Sequence, residues 1–323
     1  MKFKTIFTCL VIFGMTNILQ AQNPIISEIF TADPAPLVYK NTVYLYAGHD
    51  GATLEDTNYK MPDWYVFSSK DMVNWTNHGS KLSPATFSWA TGEAYAAQCI
   101  ERGGKFYWFV STFHKNDDNS KGGAAIGVAV SNSPLGPFKD AIGKALVVNE
   151  MTTDMKHAWD DIDPTVFIDD DGQAYLFWGN GSCKWVKLKK NMTELDGEIT
   201  TLNIKNFIEG PWIYKRKDLY YLIYAGRGTK AEMIEYATSK NIQGPWEYRG
   251  ILAENAPKSF TIHPGVIDFK GKTYFFYHNG ELPTGGSYRR SICVDNLYFN
   301  EDGSMQKVIL TKEGVKSIKQ LNN

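Results

Sequence analysis

Five times along these 323 residues the same phrase returns: a polar residue, usually with Pro or Gly-Pro behind it, an apolar run, a turn rich in Gly, Asn, Asp or Lys, then an aromatic run. It reads Asp33-Pro34 to Tyr39 with Val43-Tyr44-Leu45-Tyr46, and Gln98-Cys99-Ile100 with Phe106-Tyr107-Trp108-Phe109. It returns as Asp163-Pro164-Thr165-Val166-Phe167 with Ala174-Tyr175-Leu176-Phe177, as Glu209-Gly210-Pro211-Trp212-Ile213 with Leu219-Tyr220-Tyr221-Leu222, and as His263-Pro264-Gly265-Val266-Ile267 with Thr273-Tyr274-Phe275-Phe276. A repeat of roughly 45 to 65 residues built from short strands is the signature of propeller blades. The expected fold is therefore all-β, a five-bladed β-propeller of four-stranded antiparallel blades. Symmetry would aim the five leading residues, Asp33, Gln98, Asp163, Glu209 and His263, at one shared axis.

Turn chemistry supports strands over helices. Lys40-Asn41, Gly103-Gly104, Asp169-Asp170-Asp171-Gly172 and Lys270-Gly271 each separate two apolar runs, as hairpin turns do. No Pro/Ser-rich linker or charge block interrupts the chain, so residues 22–323 read as a single domain behind residues 1–21. That first stretch has a basic start, a short apolar core and a small residue before a polar stretch, which predicts a secretory signal and a secreted or periplasmic protein. Cys99, Cys183 and Cys293 are too dispersed for a disulfide framework or a clustered metal site and are expected to be buried thiols. With 34 basic and 35 acidic residues the chain has no electrostatic footprint for nucleic acid or an anionic membrane. A neutral partner is expected, and a monomer.

Three of the five leading residues are carboxylic acids. Asp-Pro alone is an ordinary turn starter, Glu209 alone an ordinary loop end and His263 alone an ordinary packed histidine. Their recurrence at one repeat position favours a shared site. Two acids in different environments can cut a glycosidic bond, one protonating the departing oxygen while the other acts on the opposite face of the sugar. Acids on blades across a channel suit the spacing of about 6.5 to 9.5 Å that admits a water and inverts the anomeric centre. A further carboxylate would raise the acid's pKa.

Thr31-Ala32-Asp33-Pro34-Ala35-Pro36, Asp161-Ile162-Asp163-Pro164-Thr165-Val166-Phe167, Glu209-Gly210-Pro211-Trp212 and His263-Pro264-Gly265-Val266 together resemble glycoside hydrolase family 43, the five-bladed propellers acting on arabinose- and xylose-containing polysaccharides. The resemblance implies Asp33 as general base, Glu209 as general acid and Asp163 as the residue that tunes and orients the acid. It implies that His263 lies on the axis, beside the water-coordinated calcium or sodium ion of many members; a structural Ca²⁺ is thus an expectation, with no cofactor required for the chemistry. Arg290 is similar to the family's arginine that contacts the sugar or the acid. The second blade departs, with Tyr95-Ala96-Ala97-Gln98 where many members have Trp-Ala-Pro-Asp.

The segments Val43 to Asp50 and Met61 to Ser69 are most similar to enzymes that remove arabinofuranose side chains from arabinoxylan, and no β-sandwich is expected beyond about residue 315. The expected substrate is a hemicellulose or pectic polysaccharide, arabinoxylan or arabinan, or its oligosaccharides. A β-xylosidase or arabinanase on the same scaffold, and a sugar-binding propeller without turnover, are the alternatives. Trp64, His157 and Trp159 are the expected pocket aromatics beside Arg290; Trp89, Phe113, Trp212 and Tyr288 are weaker candidates, and packing between blades is expected to claim at least half of the tryptophans, Phe113 and Tyr288.

Overall fold

The computed structural model describes residues 22–116, 118, 121–152 and 157–317, and the leader expected over residues 1–21 lies outside them. Five antiparallel sheets follow one another along the chain. The first contains β1 (Thr31–Tyr39), β2 (Thr42–His49), β3 (Trp64–Ser69) and β4 (Thr76–Leu82), each paired to the next. The second contains β5 (Ala90–Thr91), β6 (Ala97–Arg102), β7 (Lys105–Lys115), β8 (Lys121–Ser131), β9 (Lys139–Asp140) and β10 (Val147–Val148). There β5 and β6 share the place inside β7, while β9 and β10 share the place outside β8. It is a four-position blade whose inner and outer strands are each broken in two.

The third blade is β11 (Thr165–Ile168), β12 (Ala174–Trp178), β13 (Cys183–Leu188) and β14 (Thr200–Leu202); the fourth is β15 (Phe207–Arg216), β16 (Leu219–Gly226), β17 (Met233–Ser239) and β18 (Glu247–Ala253). The fifth sheet has β19 (Gly265–Phe269), β20 (Lys272–Asn279) and β21 (Ser291–Leu297). Its fourth place is taken by the segment that leads into β1: Ile25 N–H donates to Ile292 O and the N–H of Thr31, the first residue of β1, to Arg290 O, both at 2.8 Å. The start of the described chain thus closes the ring on its last blade.

The local chemistry explains the hairpins. Lys40 and Asn41 both have positive φ (45° and 58°), as do Gly103 and Gly104 (60° and 80°) and Lys270 and Gly271 (48° and 76°). Two-residue loops of this hand match the right-handed strand twist, and Tyr39 pairs Thr42, Arg102 pairs Lys105 and Phe269 pairs Lys272 around them. Blades pack face to face, so their middle strands are buried on both sides and read as unbroken apolar runs; β12 is buried throughout. The core is aromatic: Tyr46 of the first blade meets Trp108 of the second edge to face at 4.7 Å. Trp212 Nε1 of the fourth blade donates to Val266 O of the fifth at 3.0 Å. Cys99, Cys183 and Cys293 are buried free thiols, as expected. No described helix is long and apolar enough to cross a membrane.

Candidate active site

The innermost strands all begin at one end of the central channel. Asp33, Asp163, Glu209 and His263 line a single cavity of about 540 Å³ there, joined by Arg290, Trp159 and Phe113. Gln98, the fifth leading residue, does not. The inner strand of the second blade breaks between Thr91 and Ala97, so Tyr95 and Ala96 reach the cavity instead. Gln98 sits inside the ladder opposite Phe109 and its Oε1 accepts the Val166 N–H, stapling the second blade to the third.

Irregular backbone delivers the acids. The pairing of β1 with β2 shifts register between Ala32 and Ala35, and that of β15 with β16 shifts on both sides of Glu209. Such bulges re-aim a side chain out of the ladder. Asp33 (φ 54°) and Asp163 (φ 60°) are left-handed, a conformation costly for residues other than glycine and concentrated at functional sites. Both carboxylates are buried, at 7% and 5% exposure.

Their surroundings push them apart chemically. Asp33 Oδ1 accepts from Arg290 Nη1 at 3.1 Å. Burial is the largest influence and opposes its charge, but the Arg290 guanidinium together with His278 and His263 outweighs it and holds the carboxyl well below the usual carboxylate range. Arg290 is fixed in turn by Asp50, its Nε donating to Oδ2 at 2.8 Å and its Nη2 to Oδ1 at 2.9 Å, with the Tyr59 ring 4.7 Å from the guanidinium. His278 lies beneath Asp33: its Nδ1 accepts the Asp33 N–H at 3.3 Å, and its Nε2 lies 3.1 Å from Thr261 O. That pattern fits a neutral imidazole protonated at Nε2, and burial lowers the ring's pKa accordingly.

Glu209 moves the other way. Burial, then the negative charge of Asp33, push it up from 4.5 to about 7, partly offset by Arg290 and by Asn180, whose Nδ2 donates to Oε2 at 2.5 Å. Asp163 is also pushed up, by burial and then by Glu209. Its Oδ2 accepts the N–H of Gly210 at 3.0 Å, so it holds the backbone next to Glu209. Burial and Asp33, rather than Asp163, raise the pKa of Glu209.

His263 Nδ1 lies 4.0 Å from Asp33 Oδ1 and 3.9 Å from Asp163 Oδ2, and burial pulls the ring down to about 4, keeping it neutral. Calcium asks for six to eight oxygens. Here one imidazole faces two carboxylates already engaged by Arg290 and Gly210, and among the described residues no group of three or more His, Cys, Asp or Glu is placed to hold a metal ion. The residues present do not by themselves form a calcium cage, so an ion beside His263 would take its oxygens from water, and no step below passes through a metal.

The aromatic expectations divide. Trp159 lines the cavity with half its surface exposed. His157 does not line it; its ring stacks on Trp159 at 4.4 Å and supports that indole from behind. Trp64 is a correction too: wholly buried, it donates to Tyr95 O at 2.6 Å and belongs to the core. Trp89 is bonded to Asp140, Trp212 to Val266, and Tyr288 packs edge-on against Tyr59. Asp50, Tyr59, Asn180, Glu232 and His278 shape the site unannounced by any motif. A polar residue at the end of a middle strand, as at His49-Asp50, His278-Asn279 and Gly179-Asn180, was the available signal.

Known proteins resemble this one across nearly its whole length. The model for "Glycosyl hydrolases family 43" matches residues 21–305. An arabinoxylan arabinofuranohydrolase of Bacillus subtilis is 32% identical over 93% of this chain, and one of Paenibacillus polymyxa is 30% identical over 93%. The chain spans 66% and 53% of the length of those two relatives. Among solved structures, a β-xylosidase/α-arabinofuranosidase from a compost metagenome, in complex with xylotriose and in a calcium-free form, has a TM-score of 0.77 at 28% identity, covering 89% of this chain and 97% of its own. With the family model spanning the propeller and the acids gathered at one channel mouth, the chain belongs to glycosyl hydrolases family 43.

Proposed function

We propose that the protein is an exo-acting, inverting α-L-arabinofuranosidase that removes terminal arabinofuranosyl residues from arabinoxylan or arabinan. One observation carries this reading: two carboxyls in one cavity have been driven in opposite directions, Asp33 held ionised and Glu209 raised to about 7. Asp33 takes a proton from water as the water oxygen bonds to the anomeric carbon. The glycosidic C–O bond breaks on the other face, and Glu209 gives its proton to the departing oxygen. Asp163 orients Glu209 through Gly210, and Arg290 keeps Asp33 charged and aimed. Trp159, on the rim, offers a stacking face to the sugar next along the polymer. Export behind residues 1–21 and action as a monomer on a neutral polysaccharide complete the reading.

Turnover of nitrophenyl α-L-arabinofuranoside against nitrophenyl β-D-xyloside tests the glycone, with NMR of the first-formed anomer testing inversion. A preference for the arabinoside of at least tenfold and initial release of the β-anomer are expected. Cleavage of the xyloside alone would replace the reading with a β-xylosidase, the alternative favoured by the xylotriose-bound structural relative. Glu209→Ala should keep part of its activity on the nitrophenyl substrate, whose leaving group needs no proton, and lose it on arabinoxylan; Asp33→Ala should lose both.

A further inference from the structure

A fourth carboxyl faces the cavity from the loop between β16 and β17. Glu232 lines it beside Phe260 and Thr261. Its backbone N–H donates to Phe260 O at 3.0 Å and its Oε2 accepts the Ile262 N–H at 3.2 Å, so the strand-entry segment of the fifth blade holds the loop backbone by one bond and the carboxyl by another. Its other oxygen, Oε1, has no hydrogen-bond partner among the described residues. Burial, and then the charge of Glu209, push this carboxyl up to about 10, so at neutral pH it carries a proton. With Oε2 accepting from the backbone, the O–H sits at Oε1. A half-buried O–H donor without an acceptor, on the wall of a sugar-sized cavity, is incomplete until a ligand supplies one.

We propose that Glu232 is a specificity-determining residue of the glycone pocket, its Oε1 donating to one hydroxyl of the terminal sugar and selecting for glycones that carry a hydroxyl there. The assignment rests on the glycosidase reading above and adds to it which wall of the cavity reads the sugar. It places the reading on the β16–β17 loop of the fourth blade, apart from the Arg290–Asp33 pair that handles water. A site built to hydrogen-bond a substrate hydroxyl discriminates strongly against the analogue lacking it.

The test compares kcat/KM of wild type, Glu232→Gln, Glu232→Ala and Glu232→Met on whichever nitrophenyl pentoside the wild type turns over, and on its 2-deoxy and 3-deoxy analogues together with the 5-deoxy analogue of the furanoside or the 4-deoxy analogue of the pyranoside. Glu232→Ala and Glu232→Met should each lose about 10- to 100-fold on the full glycoside. On one deoxy analogue they should match the wild type within about threefold, because the hydroxyl they no longer bind is already gone. Glu232→Gln, which can accept from Ile262 and still donate from its amide, should stay within about fivefold of wild type and keep the discrimination. An equal fold-loss on every analogue, or no loss in either variant, overturns the assignment. If Glu232→Ala does not fold, the Glu232→Met and Glu232→Gln pair decides in the same way. Wild type inactive on both pentosides would overturn the glycosidase roles, and Glu232 with them; activity with additive losses overturns Glu232 alone.

Discussion

Asp33 and Glu209 stand in the same cavity, yet one is held charged and the other kept protonatable by groups far away in sequence. Arg290, 257 residues from Asp33, holds that carboxyl charged, whereas burial and Asp33 itself raise Glu209 against the pull of Asn180, 29 residues away. The Asn180 amide donates to Glu209 and therefore favours its ionised form. The proposed acid must be protonated to work, so activity should fall as pH rises through about 7, while the depressed pKa of Asp33 keeps the base ionised far into the acid range. Asn180→Ala removes a donor to the carboxylate, so the alkaline limb of the kcat/KM profile should move upward by about half a unit or more, and kcat should drop about tenfold as the carboxyl loses its anchor. A profile that stays put would show that Asn180 does not touch the acid in solution. Asp33, Asp163 and Glu209 were legible because each leads a repeat. Asp50, His278 and Asn180 carried only the faint mark of a polar residue at the end of a middle strand, and Glu232 not even that, because each acts on a partner reached only through the folded ring.

The strand entries are where regularity is given up. Left-handed Asp33 and Asp163 each cost on the order of 1–3 kcal/mol, and the rest of the blade holds them in place. Gly210 sits in the bulge of β15 at φ 61°, and a Cβ there would meet His263 Nδ1 at 3.0 Å. Gly210→Ala should thus strain the backbone by about 1 kcal/mol and push against the ring that adjoins both aspartates. The expected result is a native circular dichroism spectrum, a melting temperature lowered by a few degrees, and at least a tenfold loss in kcat/KM; wild-type turnover would show that this corner is not held to a single geometry. Hairpins such as Lys40-Asn41 were readable because two-residue turns demand particular residue types. The broken inner strand of the second blade was not: Gln98 opens an apolar run like the other leaders, but nothing before Ala97 in the sequence says that the strand entry lies at Ala96.

A ring of blades is held only as firmly as its closure. The five blades could be counted from the repeat, whereas the pairing that joins the ends could not, because it sets a segment with no repeat character against β21 across 271 residues. Asn23 concentrates that pairing. Its Oδ1 accepts the Val294 N–H at 2.9 Å and its Nδ2 donates to Val294 O at 3.2 Å and to Thr311 O at 2.8 Å, tying both chain ends to the fifth blade. Ile26 and Val315 then pack in one apolar cluster with Ile292 and Val294. Truncating Asn23 leaves the Val294 N–H and two carbonyls buried without partners, a loss of about 2–4 kcal/mol. Asn23→Ala should therefore lower the melting temperature by about 5 °C or more, while kcat/KM at 25 °C stays within about twofold of wild type, since Asn23 is not among the residues lining the cavity. The opposite pattern, unchanged melting with reduced turnover, would mean that the seam transmits to the site rather than simply shutting the ring.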